Sequence, residues 1–357
     1  MLYRLKKIPV PILVVLLLLL LYPTFVIWSH SRLKARVENN CLDPRKELED
    51  CYVDYYNNTA KKLGAAVALK QLHDRKETDT VLAVNCHEAM HEIGHAAFEE
   101  YGSIAKAYAH ADYTCWGGFL HGVVEESMRG RTIDDIEKDE LNSMCKVVKG
   151  VGEKSFEYFS CVHGLGHALM FVSNNDLPKT LIHCDDLSNV WEARQCANGA
   201  FMQNMFSNYN DHASDYVSKT DLHVPCNIVR ENLQDVCYQV QGKLILDRLS
   251  WDFDKAFTFC ATLPTGTTSA ACVSGLGAAV SNFSAYKPQK VSELCSKAPS
   301  GLDQDCLYGA ITDLEGVVGD TTLGKQVCSF QPTEKQTKCL RIVEQAHVDF
   351  PGKAVNE

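Results

Sequence analysis

The chain has 357 residues, 46% of them hydrophobic and 22% charged, with a formal net charge of −10. That composition excludes a disordered chain, and the length is enough for one large core or two domains. From Glu38 onward 29 basic residues face 45 acidic ones, a balance of −16 that argues against a nucleic-acid partner and is compatible with cation binding.

The first 37 residues carry no acid and six bases, Arg4, Lys6, Lys7, Arg32, Lys34 and Arg36. Within them Ile8 to Trp28 is an uncharged run of 21 residues, long enough at about 1.5 Å per residue to cross about 30 Å of hydrocarbon. Ser29, His30, Ser31 and Arg32 offer no small-residue cleavage site, so the run reads as an uncleaved signal anchor. Sixteen cysteines, from Cys41 to Cys339, read as a disulfide framework, which places the chain after Trp28 outside the cytoplasm and residues 1–7 inside it. Two glycosylation sequons, at Asn57 and Asn282, are compatible with that side. A polar stem fills 29–40.

Beyond the stem the cysteines mark a repeat. The segments starting at Cys161, Cys196, Cys272 and Cys306 align without gaps, each with glycine three residues after the cysteine, and Cys115 opens the same way. With looser copies at Cys237 and Cys339, the starts from Cys161 onward recur every 33 to 41 residues. Each copy reads as a helix with its cysteine in the first turn, preceded by a second apolar-periodic helix that carries another cysteine near its end. Val291 to Gly316 displays the unit: a helix through Cys295, a turn over Ala298 to Gly301, then a helix from about Leu302. The expected fold is all-α, disulfide-stapled helical-hairpin repeats forming an α-solenoid or an α-toroid behind one transmembrane helix, with almost no sheet. Sequence order pairs Cys41 with Cys51, Cys86 with Cys115, Cys145 with Cys161, Cys184 with Cys196, Cys226 with Cys237, Cys260 with Cys272, Cys295 with Cys306 and Cys328 with Cys339. Residues 41–220 form the ligand-bearing repeats and 221–345 the ligand-poor ones, followed by a tail over 346–357.

Chemistry concentrates in three of the repeats. Cys86 to Glu100, CHEAMHEIGHAAFEE, places His87, His91 and His95 at four-residue steps on one helix face, with Glu88 and Glu92 between them. HExxH occurs twice, overlapping at His91, and ExxH occurs twice as well; two imidazoles one turn apart can hold one metal while a neighbouring glutamate handles a proton. His121 and Glu125 repeat the four-residue step, as do His163 and His167. Where the copies at Cys115 and Cys161 place His121 and His167, the copies at Cys272 and Cys306 have Ala278 and Thr312, so the fold does not need histidine there. The candidate ligands are therefore His87, His91, His95, His121, Glu125, His163 and His167, with Glu88 and Glu92 as candidate general bases. His87 and His95 lie about 12 Å apart along a helix axis, so the three histidines of the first box cannot all bind one ion.

These boxes imply a divalent metal, zinc or else iron, copper or manganese, in one ion or two. The nine residues of the double HExxH resemble the zincin metallopeptidase motif. In that likeness His91 and His95, or His87 and His91, bind zinc, Glu92 or Glu88 is the base, and Glu125 or His121 is the third ligand. The extended metzincin pattern stops at Phe98, which stands where its third histidine belongs. Histidine boxes on several helices resemble the ligand logic of membrane hydroxylases and desaturases, which implies di-metal oxygen chemistry. A third reading is a tethered scaffold that binds metal or, through its C-terminal repeats, a protein partner. His110, His183, His212 and His223 lack the box spacing. Met170, Met202 and Met205 read as core packing, and Asp185 and Asp186 as a turn or helix cap.

Overall fold

A computed structural model describes residues 48–148, 155–206, 214–264, 266–318 and 321–349. The expected membrane segment 8–28, the stem 29–40 and the tail from 350 lie outside the described residues. No helix among the described residues is long and apolar enough to cross a membrane. The chain divides into two compact units, 1–55 and 56–357. The first contributes only the start of helix α1 (Leu48–Leu63) to the described residues; the rest of α1 and every later helix belong to the second.

Among the described residues every regular element is a helix. In chain order they are α2 (Ala65–Lys76), α3 (Thr80–Tyr101), α4 (Ile104–Tyr108), α5 (Gly118–Met128), α6 (Lys138–Met144), α7 (Phe156–Val172), α8 (Leu177–Asp185), α9 (Val190–Phe206), α10 (Glu231–Val240), α11 (Gly242–Arg248), α12 (Phe253–Thr262), α13 (Thr267–Phe283), α14 (Pro288–Cys295), α15 (Asp303–Val318), α16 (Thr322–Ser329) and α17 (Thr333–Asp349). Short 3₁₀ turns join some of them, among them Cys115–Gly117 at the head of α5.

Two kinds of helix alternate. The short ones are one-sided: α8 buries Leu177, Thr180, Leu181 and Cys184, and α12 buries Phe253, Ala256, Phe257 and Cys260, in each case the i, i+3, i+4, i+7 stripe of a helix laid on a core. The long ones are buried nearly all round, α7 hiding every residue from Ser160 to Met170. The stripe of each of these short helices ends on a cysteine, which bonds to the long helix that follows. Seven disulfides of this framework are present, Cys86–Cys115, Cys145–Cys161, Cys184–Cys196, Cys226–Cys237, Cys260–Cys272, Cys295–Cys306 and Cys328–Cys339, all as sequence order suggests. Cys51 is also disulfide-bonded, while its expected partner Cys41 lies outside the described residues.

The expected position of the cysteines needs one correction. Cys161 and Cys272 are the sixth residues of α7 and α13, and Cys196 is the seventh of α9, so the long helices start about a turn earlier than the repeat alignment implies. The earlier starts are set by local signals such as Ser155, whose side chain accepts from the Tyr158 amide, and not by the bridge.

The long helices pack in chain order, α3 on α5, α5 on α7, α7 on α9, α9 on α10, α10 and α11 on α13, and α13 on α15. Their backbones nearly touch. A Cβ at Gly122 of α5 would collide with the His91 carbonyl of α3, and one at Gly199 of α9 with the His163 carbonyl of α7. Glycine is required there for close approach and not for its φ. At the far end α15 returns to the turn before α5: the Trp116 indole Nε1 donates to Asp313 Oδ1 at 3.0 Å, and the Trp116 ring lies over Gly316. Residues between hairpins repeatedly adopt left-handed pairs, Asn174–Asn175, Ser250–Trp251 and Ala285–Tyr286, which reverse the chain without glycine.

Candidate metal centre

Helix α3 is capped by Asp79, whose side chain accepts from the Leu82 amide, and it ends at Gly102 in the left-handed conformation. One residue before Cys86 it kinks at Asn85, with φ −114° and ψ 20°. The helix then presents His87, His91 and His95 toward α5, which Gly94, Gly118 and Gly122 let approach closely, as each would meet the opposite backbone if it carried a Cβ. Helix α7 also packs on α5 and brings in His163 and His167, and the contribution of α5 itself is His121 and Glu125.

Three boxes separated in sequence thus form one cluster. His91, His95, His121, Glu125, His163 and His167 are each no more than 9% exposed, and His87 is partly exposed. Ring centroids of His87 and His91 are 4.6 Å apart, those of His121 and His163 4.7 Å, and those of His91 and His167 5.3 Å. Two groups of three could hold a metal ion, His87 with His91 and His121, and His121 with His163 and His167, the donor atoms within each group lying within 4.8 Å of one another.

Three of these rings have Nδ1 held by the protein, while His163 Nδ1 is buried without a partner. His87 Nδ1 lies 2.8 Å from the Cys115 carbonyl, His91 Nδ1 2.9 Å from Glu125 Oε1, and His167 Nδ1 2.9 Å from Gln203 Oε1. The Cys115 carbonyl and Gln203 accept from Nδ1 of His87 and His167, which leaves each of those two Nε2 atoms with its lone pair, as in metal-bound imidazoles, while Glu125 forms an ion pair with His91. The inward nitrogens then face one another. His87 Nε2 and His91 Nε2 are 3.0 Å apart, and His163 Nε2 and His167 Nε2 are also 3.0 Å apart. For imidazole nitrogens at about 2.0–2.1 Å from one ion, ligand separations run from about 2.9 Å at a right angle to about 3.3 Å at a tetrahedral one. Both ring nitrogens of His121 are buried with no hydrogen-bond partner.

Electrostatics separate the rings into two sets. Burial, then the neighbouring His91, lowers His87 to about 3, and burial lowers His167 to about 4. His121 and His163 lie well below the usual imidazole value through burial and then through the surrounding histidines. These four rings are neutral at physiological pH, the form a metal needs. His95 behaves oppositely: burial opposes its charge, but Glu125 and Glu92 outweigh burial and raise it to about 10. For His91 burial is likewise the largest influence and opposes the charge, but the Glu125 carboxylate overcomes it and raises the pKa. Glu125 is itself held well below the carboxylate range because His91 and His95 more than offset its burial.

Of the residues singled out by spacing, His87, His91, His121, His163 and His167 come together in the two triads. His95 stands outside both, its Nε2 on Glu125 Oε2 at 2.7 Å and its Nδ1 3.6 Å from Glu92 Oε1. Glu125 sits behind the rings, bound to His91 and His95 and 3.7 Å from His167 Nδ1. Glu92 is occupied with His95, and burial notwithstanding, that partner lowers its pKa. Glu88 is partly buried and interacts electrostatically with His91. Gln203 and the Cys115 carbonyl were not anticipated. The polar pair Gln203 and Asn204, where the copies at Cys161 and Cys272 have Ala168–Leu169 and Ala279–Val280, is the signal that could have found the first; a backbone carbonyl has none.

The remaining candidates have ordinary surroundings. His110 stacks on Tyr101 at 4.3 Å, and His223 Nδ1 is 2.9 Å from the Tyr238 hydroxyl. Met170 and Met205 are buried core residues. Asp185 pairs with Arg230, and Asp186 is the C-cap of α8 and pairs with Lys138. His183 is partly buried, and His212 lies outside the described residues. No family model, no curated protein and no solved structure matches this chain.

Proposed function

We propose that this chain is a membrane-anchored, extracytoplasmic metalloprotein whose helical hairpins form a closed ring of repeats, and that it is a metal-dependent enzyme using the His cluster of α3, α5 and α7. One observation carries the reading. His87 Nε2 and His91 Nε2 face each other at 3.0 Å while the Nδ1 of each ring is held by the protein, a spacing that fits two imidazoles on one cation. A donor set of imidazoles suits zinc, copper or iron better than manganese, and better still than calcium or magnesium. Bound there, such an ion would supply Lewis-acid or redox chemistry. The chain's own part is to orient the rings through Cys115, Glu125 and Gln203, to exclude bulk water, and to leave a coordination position open, since three imidazoles do not complete a tetrahedral shell.

Two chemistries remain within this reading. In hydrolysis the first HExxH serves, His87 and His91 binding with His121 as third ligand and Glu88 as general base. The second HExxH is disfavoured because Glu125 holds His95 Nε2 at 2.7 Å and His95 stands outside both triads. In oxygen or redox chemistry the second triad serves as well. The anchor at 8–28 and the extracytoplasmic side belong to the proposal; the disulfides support an oxidising compartment. A protein partner on the C-terminal repeats belongs to it too, and the exposed Trp251 and Phe283, stacked at 5.8 Å, are side chains that could meet one.

The test is metal content of the purified full chain by mass spectrometry. The wild type should retain zinc, copper or iron stoichiometrically, and His91→Ala should lose an ion. Stoichiometric metal in a folded His91→Ala chain, equal to wild type, refutes the assignment. Glu88→Gln with metal retained and turnover lost marks a base.

A further inference from the structure

We infer that His121 is a bridging ligand and that the site takes two transition-metal ions, one in each triad, joined through the two nitrogens of this one imidazole. The inference rests on the metal-site reading above and specifies its nuclearity.

Four observations lead to it. The donor nitrogens fall into two groups of three, and His121 is the member common to both. Its ring is 2% exposed and lies between the others, with centroids 5.3 Å from His87 and from His91, 4.7 Å from His163 and 5.5 Å from His167. Alone among the five rings it has no protein partner on either nitrogen, whereas His87, His91 and His167 each commit Nδ1 to an acceptor. A buried ring with two unsatisfied nitrogens is costly unless both are used, and here both lie among the donor nitrogens of the two triads, where a cation would use them. The two remaining pairs are also alike. His87 with His91, and His163 with His167, are four-residue pairs on α3 and α7, both of which pack on α5, with the same 3.0 Å spacing of Nε2 atoms. Each pair supplies two donors to its own ion and His121 supplies the third, which gives two three-imidazole sites with open positions.

Bridging requires His121 to use both nitrogens. The first ion takes the lone pair of one nitrogen; the second replaces the single ring proton, which leaves to bulk water, and the ring becomes an imidazolate with one metal bond at each nitrogen. All other ligands bind as neutral imidazoles.

The experiment uses the purified full chain, stripped of metal and titrated with copper(II), with bound copper counted by mass spectrometry and spin coupling read by electron paramagnetic resonance. Two ions per chain are expected, with the signal of the fully loaded protein strongly reduced by coupling through the bridge. His87→Ala and His163→Ala should each keep one ion, now with an uncoupled signal. His121→Ala should weaken both sites together. A wild type that saturates at one ion overturns the bridge while leaving the metal site standing, as do two ions whose signals stay uncoupled. No bound metal at all overturns the underlying reading, and the bridge with it. The wild-type count and spectrum decide the matter even if a variant fails to fold.

Discussion

At the scale of single residues, the partners behind the rings matter as much as the rings. Gln203 fixes the tautomer of His167 by accepting from Nδ1, so Gln203→Ala should lower metal affinity about 10- to 100-fold without unfolding the chain. Competition with a chelator measures this, and an unchanged affinity would remove Gln203 from the site. The depressed imidazoles also predict how the metal-free chain responds to acid. His87 and His167 titrate near 3 and 4 when folded against about 6.5 when unfolded, so below that value the unfolded state takes up protons the folded state refuses. Stability should therefore fall as the pH drops from about 6.5 toward 4, and the melting temperature at pH 5 should lie below that at pH 7. His95 does not mask the effect. Its pKa is raised to about 10, so its contribution is fully present below about 6.5 and is lost only as the pH rises through 10. A flat melting temperature between pH 7 and 5 would contradict the neutral state of the buried rings.

At the scale of elements, helix contact is set by glycine and covalent bridges. Gly122→Ala pushes a methyl group into the His91 carbonyl across the α3–α5 contact, and Gly199→Ala does the same to the His163 carbonyl across α7–α9. Such overpacking costs about 1–3 kcal/mol or more and displaces the ligand helices together with their rings, so both variants should unfold at lower denaturant and bind metal more weakly. Unchanged stability in both would mean that the helices are less tightly apposed. The hairpins and their bridges are readable in the sequence because a cysteine at the i+7 place of an apolar stripe, as in Leu177, Leu181 and Cys184, fixes both helix face and partner. The roles within the boxes are not readable. Spacing puts His87, His91 and His95 on one face, but only the approach of Glu125 on α5 decides that His95 binds a carboxylate while His87 and His91 face each other. Gln203 was missed for the same reason: its role depends on where α9 crosses α7.

At the scale of the whole molecule, Trp116 and Asp313 join segments almost two hundred residues apart in sequence. Asp313 is 5% exposed and also accepts from Ser281 and from Asn282 Nδ2 at 3.2 Å. Burial, only partly offset by those bonds, raises its pKa to about 7. The folded state therefore holds a proton that the unfolded state gives up near 3.8, and this contact weakens as the pH rises from about 4 to 7. Asp313→Asn should gain stability relative to wild type across that window, with the difference in melting temperature growing from pH 4 to pH 8. A constant difference would contradict a buried, protonated Asp313. The sequon at Asn282 is bound into the same contact. The turn that carries Trp116 follows Cys115, whose carbonyl is bonded to His87, so this long-range contact and the histidine cluster share one piece of backbone.

The central claim is that a metal ion sits among imidazoles of α3, α5 and α7. Anomalous X-ray diffraction from crystals of the metal-loaded chain, collected at the absorption edge of the retained metal, tests it most directly. The account predicts an anomalous peak bounded by His87, His91 and His121, with nitrogens at about 2.0–2.1 Å if the metal is zinc and His95 still on Glu125. A peak lying elsewhere, or His87 and His91 ordered at their present separation with no ion between them, would contradict it.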